Sequence, residues 1–222
     1  MTSAFFVTGT DTGVGKTLFS AALLRRFRAL GLRAAGMKPV AAGSTAGLNE
    51  DVEALIAASS PGIDRGLVCQ YLLEPPIAPH IAASEAGITI DLAPIERAFG
   101  ALRAQADVIV VEGVGGFRVP LNEREDAADL AKRLGAPVIL VVGLRLGCLN
   151  HALLTQDAIA AAGLKLAGWV ANRIDPGMAR ADENVRTLSA RLRAPLLADV
   201  PFGPPNDFPV ALEPLRRAPG SR

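Results

Sequence analysis

Short apolar runs alternate with longer amphipathic segments along the chain. The runs at 5–7, 34–40, 107–113, 137–143, 165–172 and 196–200 carry apolar residues at consecutive positions, the pattern of parallel strands covered on both faces. Between the first two, Phe19, Leu23, Phe27 and Leu30 recur at helical spacing, and Gly31 then stops the helix. Further helices are predicted from Glu50 or Asp51 past Leu55 and Ile56, over 91–105 with Asp91 as N-cap, and over 126–134, 150–162 and 178–192. Pro61, Pro75, Pro76 and Pro79 interrupt 59–87; a strand within 67–73 and a short helix from Pro79 are the only elements suggested there. The tail, 201–222, holds six prolines and reads as loop and frayed terminus. Strands alternating with helices predict an α/β fold, a single domain whose mostly parallel sheet has helices on both faces.

Composition narrows the class. Of 222 residues 50% are hydrophobic and 20% charged, enough for a large core. A net charge of +1 gives no footprint for nucleic acid or an anionic membrane. Cys69 and Cys148 are the only cysteines, too far apart in sequence to suggest a disulfide framework or zinc site. The first residues lack the pattern of a secretory signal, and the longest apolar stretch, 136–143, is too short to span a bilayer. A soluble cytoplasmic protein is expected.

The candidate chemistry starts at the end of the first run, where Thr8-Gly9-Thr10-Asp11-Thr12-Gly13-Val14 leads into Gly15-Lys16-Thr17. A strand, a glycine-bearing loop and a Gly-Lys-Thr helix start form a phosphate cradle: backbone N–H groups face the anion, Lys16 reaches the outer phosphates and the Thr17 hydroxyl can ligate Mg²⁺. The first glycine, Gly9, stands one place earlier than G-x-x-x-x-G-K-[ST] requires; Thr10 occupies the strict position. Polar residues stand at the ends of other strands: Lys38, Glu112 before Gly113, and Asn172, where ligands bind in such sheets. Glu112 is a candidate Mg²⁺ ligand or a cap of the following turn; Asp51 offers a second oxygen or caps its own helix. Lys38 puts a second cation beside Lys16, suited to phosphoryl transfer. Asn172-Arg173-Ile174-Asp175 resembles the N-K-x-D base-reading element of GTPases with Arg for Lys, leaving guanine and adenine both open. His80 and His151 read as ordinary polar contacts and Trp169 as core.

Beyond the loop, Ala35-Gly36-Met37-Lys38-Pro39-Val40, Val111-Glu112-Gly113 with Gly115-Gly116, Leu146-Gly147-Cys148-Leu149-Asn150-His151 and Gly168-Trp169-Val170-Ala171-Asn172 together resemble dethiobiotin synthetases, in family order over most of the chain. The resemblance implies a phosphate-loop NTPase-like fold and an ATP- and Mg²⁺-dependent cyclo-ligase of biotin biosynthesis. Such an enzyme converts 7,8-diaminononanoate and CO₂ to dethiobiotin through a phosphorylated carbamate. It implies catalytic roles for Lys38, Lys16 and Thr12, and Mg²⁺ on Thr17, Asp51 and Glu112. Nucleotide would contact Gly13, Val14, Gly15, Lys16, Thr17, Leu18, Asp51, Glu112, Gly113, Val114 and Gly115, with Asn172, Arg173, Pro201, Phe202 and Gly203 at the base. Substrate would meet Lys38, Ala42, Ser44, Leu146 and Asn150, the last two reaching across a homodimer. The chain departs from the family at Gly13, where many relatives have glutamate, and at Ala42, where they often have Ser or Thr. A nucleotide-switched partner-binding ATPase of the partitioning type is the alternative, though its loop often carries an extra lysine missing here. An amide-forming cobyrinate-type synthetase fits less well, since those usually add a glutamine-hydrolysing domain.

Overall fold

The computed structural model describes residues 2–203 and 208–216. The elements follow the chain as β1 (Ser3–Gly9), α1 (Lys16–Ala29), β2 (Ala34–Met37), β3 (Val40–Ala42), α2 (Glu50–Ala58), β4 (Tyr71–Leu73), α3 (Pro79–Glu85), α4 (Leu92–Arg103) and β5 (Val108–Gly116). They continue with α5 (Ala127–Leu134), β6 (Val138–Gly143), α6 (Cys148–Ala161), β7 (Leu166–Asn172), α7 (Ala181–Arg191), β8 (Leu196–Val200) and α8 (Glu213–Arg216). Six strands form one sheet in the order β2-β5-β1-β6-β7-β8, and every pairing is parallel.

The two-residue period of a strand divides the core. Phe5, Val7, Val108 and Val110 face Phe19, Leu23 and Phe27 of α1. Phe6, Ile109 and Val111 face Ile95, Phe99 and Leu102 of α4 and Leu130 of α5. Trp169, read as core, is fully buried with Leu140, Val142 and Leu188. From the central β1 the chain crosses first to β2 and β5 on one side and later to β6, β7 and β8 on the other. The carboxyl ends of β5, β1 and β6 therefore border the switch-point crevice where ligands bind in such sheets. Among the described residues no helix is long and apolar enough to cross a membrane.

The structure departs from the sequence reading in four places. The run at 34–40 is cut at Lys38-Pro39. Pro39 has no N–H for a ladder, and the chain leaves the main sheet so that Val40 pairs with Tyr71 in a separate two-stranded parallel sheet. The loop expected after Gly113 begins later, because β5 runs on to Gly116 beside Gly9. Within 59–87 the strand and the helix from Pro79 form as expected, as β4 and α3, with Pro79 at the helix start where its missing N–H costs nothing; the departure is a 3₁₀ turn at Arg65–Leu67. In the tail, Phe208 and Leu215 are buried in the α1-side core, the Ala211 N–H donates to the Leu197 carbonyl, and 213–216 form a helical turn. The reading of 204–207 and 217–222 as loop lies outside the described residues.

Candidate active site

Local chemistry places each group. Gly9 is where it is because a Cβ there would lie 2.6 Å from Val14 Cγ2; the early glycine lets the strand end touch its own loop. Gly13 and Gly15 adopt left-handed φ of 73° and 89°, open to glycine at little cost. No carboxylate stands at Gly13, and open space surrounds its Cα. Lys16 and Thr17 begin α1, so the helix N-terminus and its unpaired N–H groups face the same crevice.

Asn49, rather than Asp51, caps α2: its side chain accepts from the N–H groups of Asp51 and Val52. Asp51 is thereby left to the site. The Thr17 hydroxyl lies 2.8 Å from both Asp51 Oδ1 and Glu112 Oε1. Lys38 Nζ lies 2.7 Å from Asp51 Oδ2 and 2.6 Å from Glu112 Oε1. Glu112 is 0% exposed and points to these partners instead of capping the turn after it. Alternation along β5 puts it on the α1 side, with Val108 and Val110.

The electrostatics follow from burial. Taking Lys38 out of water alone would lower its pKa, but Glu112 and Asp51 together hold it above the usual lysine value. Burial likewise works to raise Asp51, and is outweighed by Lys38, Thr17 and Lys16, which hold the carboxyl below its usual range. Lys16 lacks such close carboxylates; its Nζ donates to the Asp11 carbonyl at 3.1 Å. Burial and the nearby Lys38 charge push it down to about 8.

These groups line a cavity of about 730 Å³. Thr12, Gly13, Gly15, Lys16 and Thr17 of the phosphate loop line it together with Lys38, Ala42, Asp51 and Glu112, and with Val114 and Gly115 of β5. Val14 is buried behind the loop. Gly113 packs on the Phe6 ring, and neither it nor Leu18 lines the cavity. Ser44 stands outside it too, its N–H donating to the Leu73 carbonyl. Asn172 is buried under the loop, donating through Nδ2 to the Val14 carbonyl at 2.8 Å. Arg173 is fixed by Asp199 and Asp182. Pro201, Phe202 and Gly203 are exposed at the end of β8. Leu146 and Asn150 are exposed away from the cavity, Leu146 at 95%.

Two features had no place in the sequence reading. Pro76, Ile77, Ala78 and Pro79, with Val119, add an apolar wall to the same cavity; Pro79 at a helix start was the one available signal. Arg145, after β6, pairs with the Asp11 carboxylate of the phosphate loop.

The donors suit a hard cation. Two carboxylates and a hydroxyl converge, and the buried Glu112 Oε2 has no hydrogen-bond partner, an oxygen that a metal would satisfy. Among the described residues no third His, Cys, Asp or Glu joins them, a set matching Mg²⁺, which keeps waters and substrate oxygens as its remaining ligands.

A parallel α/β sheet with a Gly-Lys-Thr phosphate loop at its central strand, flanked by two carboxylates and a second lysine, defines a phosphate-loop nucleotide-binding protein. The chain matches the family model described as AAA domain over residues 3–209. The ATP-dependent dethiobiotin synthetase BioD of Aromatoleum aromaticum is 62% identical over 204 residues, 89% of this chain and 90% of that one. Its namesake from Ralstonia nicotianae is 55% identical over 218 residues, 96% and 95% of the two chains. The chain belongs to the ATP-dependent dethiobiotin synthetase family. Among solved structures, the septum site-determining protein MinD of Pyrococcus horikoshii, complexed with Mg-ADP, superposes with a TM-score of 0.56 at 17% identity over 92% of this chain and 83% of that one. The signal recognition particle receptor FtsY of Elizabethkingia anophelis gives 0.54 at 17%, with 95% of this chain matched to 63% of that receptor chain. At these identities the likeness is one of fold alone.

Proposed function

We propose that this chain is an ATP- and Mg²⁺-dependent cyclo-ligase that makes dethiobiotin from 7,8-diaminononanoate and CO₂. One amine adds to CO₂ and loses a proton, giving a carbamate. A carbamate oxygen attacks the γ-phosphorus and ADP leaves. The second amine then attacks the carbonyl carbon, expelling phosphate and closing the cyclic urea. The observation that carries this reading is Lys38 Nζ, buried between Glu112 and Asp51 in the cavity that holds the phosphate loop. Once substrates enter, the same ammonium turns a donor not held by Glu112 and Asp51 toward the carbamate oxygen and the transferring phosphoryl group, where charge builds up. Lys16 and the loop amides hold the β- and γ-phosphates, and Thr12 borders the transferring group. Thr17, Asp51 and Glu112 would hold Mg²⁺, which when bound neutralises phosphate charge. The apolar wall from Pro76 to Pro79 offers the alkyl part of the substrate a dry surface, and Ala42 leaves the carbamate to backbone groups and Lys38. Asn172 and the 201–203 segment flank the base.

The working unit in this reading is a homodimer, with Leu146 and Asn150 reaching the neighbour's substrate; the nearly complete exposure of Leu146 supports it. Mass spectrometry after incubation with diaminononanoate, bicarbonate, Mg²⁺ and ATP is expected to reveal dethiobiotin. Absence of the cyclic urea under those conditions would overturn the reading.

A further inference from the structure

We infer that Asn172 is a positioning residue for the phosphate loop, setting the cradle itself whichever base is bound. A carbonyl can only accept, so the buried Asn172 amide meets the Val14 oxygen through its nitrogen, at 2.8 Å. Asn172 is 7% exposed and stands at the end of β7, its own carbonyl accepting from the Leu144 N–H at 2.7 Å. The side chain therefore projects from a strand end held in the sheet. The peptide bond from Val14 to Gly15 is trans. Anchoring the Val14 oxygen toward Asn172 consequently turns the Gly15 N–H the opposite way, and Gly15 borders the cavity.

The same amide nitrogen also packs on the loop backbone. A Cβ on Gly15 would lie 2.1 Å from Asn172 Nδ2, so the amide packs directly on the glycine that precedes Lys16. Glycine at 15 and asparagine at 172 are thus matched to each other. The second amide N–H and the Oδ1 stay free for a base, so loop positioning is a role held beside any base contact.

The inference rests on the nucleotide-binding reading above, and the test separates the two. Calorimetric titrations with ATP, CTP and inorganic tripolyphosphate compare the wild type with Asn172→Ala and Asn172→Asp, each first checked by its melting temperature. Both variants are expected to lose about tenfold in affinity, the scale of one buried carbonyl left unpaired, and to lose it for the base-free tripolyphosphate as well as for the two nucleotides. Asp is not expected to rescue, since it fills the space but sets a second acceptor against the Val14 oxygen. A loss confined to ATP, with CTP and tripolyphosphate unchanged, would make Asn172 a base reader and overturn the inference. Wild-type affinity in Asn172→Asp would overturn it as well. Failure of the wild type to bind any of the three ligands would instead sink the nucleotide-binding reading.

Discussion

Burial alone would lower the pKa of Lys38, and Glu112 and Asp51, both touching its Nζ, hold it above the usual lysine value instead. Replacing the lysine by Gln keeps a donor of similar reach and removes the charge. Lys38→Gln is expected to lower turnover by about a hundredfold to a thousandfold, the scale of one lost oxyanion donor, while ATP still binds. Turnover at the wild-type level in steady-state assays would remove Lys38 from the mechanism. Lys16 behaves in the opposite way. Lacking close carboxylates, it sits at about 8 because of burial and the Lys38 charge. Between that pH and the ordinary lysine value it is largely neutral in the free protein, and a bound triphosphate favours its charged form. ATP binding near pH 9 in metal-free buffer is therefore expected to take up a proton, and binding near pH 7 to take up almost none. Calorimetry in buffers of different ionisation enthalpy measures this; no uptake at pH 9 would contradict the assignment.

Among the elements, α2 does the most to assemble the site through its cap. Asn49 accepts from the N–H groups of Asp51 and Val52 and donates to the carbonyls of Ala42 and Gly43, tying the helix start to the end of β3. Asn49→Ala is expected to cost about 1–2 kcal/mol in denaturant unfolding and to raise the Mg²⁺ concentration needed for activity, since Asp51 loses its fixed position. An unchanged unfolding midpoint would show the cap to be dispensable. This cap also shows where sequence reading stopped. Asn49 and Asp51 are both good cap residues two positions apart, so the sequence alone leaves Asp51 between cap and ligand, and the hydrogen bonds of Asn49 decide. Lys16, Thr17 and Glu112 were easier, because each ends or follows an apolar run and strand ends border the ligand crevice. The break at Lys38-Pro39 was hidden, since Val40 and the alanines after it prolong the apolar run, and their pairing with β4 is a tertiary choice. The Pro76–Pro79 wall is hidden for the same reason: what faces the cavity there depends on the tertiary placement of the segment between β4 and α3.

On the scale of the whole molecule, the buried strand runs made the sheet legible, because strands covered on both faces carry few polar residues. The tail was misleading in part. Its prolines suggested loop, yet Phe208 and Leu215 close the α1-side core, and isolated apolar residues among prolines give no periodicity to read. The exposed Leu146, with Leu154 also exposed on α6, bears on assembly. Leu146→Asp is expected to shift the mass measured by light scattering from twice 23.0 kDa toward the single chain, with loss of activity at low protein concentration. A single-chain mass for the wild type would refute the dimer. Phosphoryl transfer in this enzyme serves ring closure, unlike the free-running nucleotide hydrolysis of a partner-binding switch. Parallel quantification of ADP and dethiobiotin tests it most directly: one ADP per dethiobiotin, and almost no ADP when diaminononanoate or CO₂ is withheld, is the predicted result. ADP formation at the same rate without the diamine would contradict it.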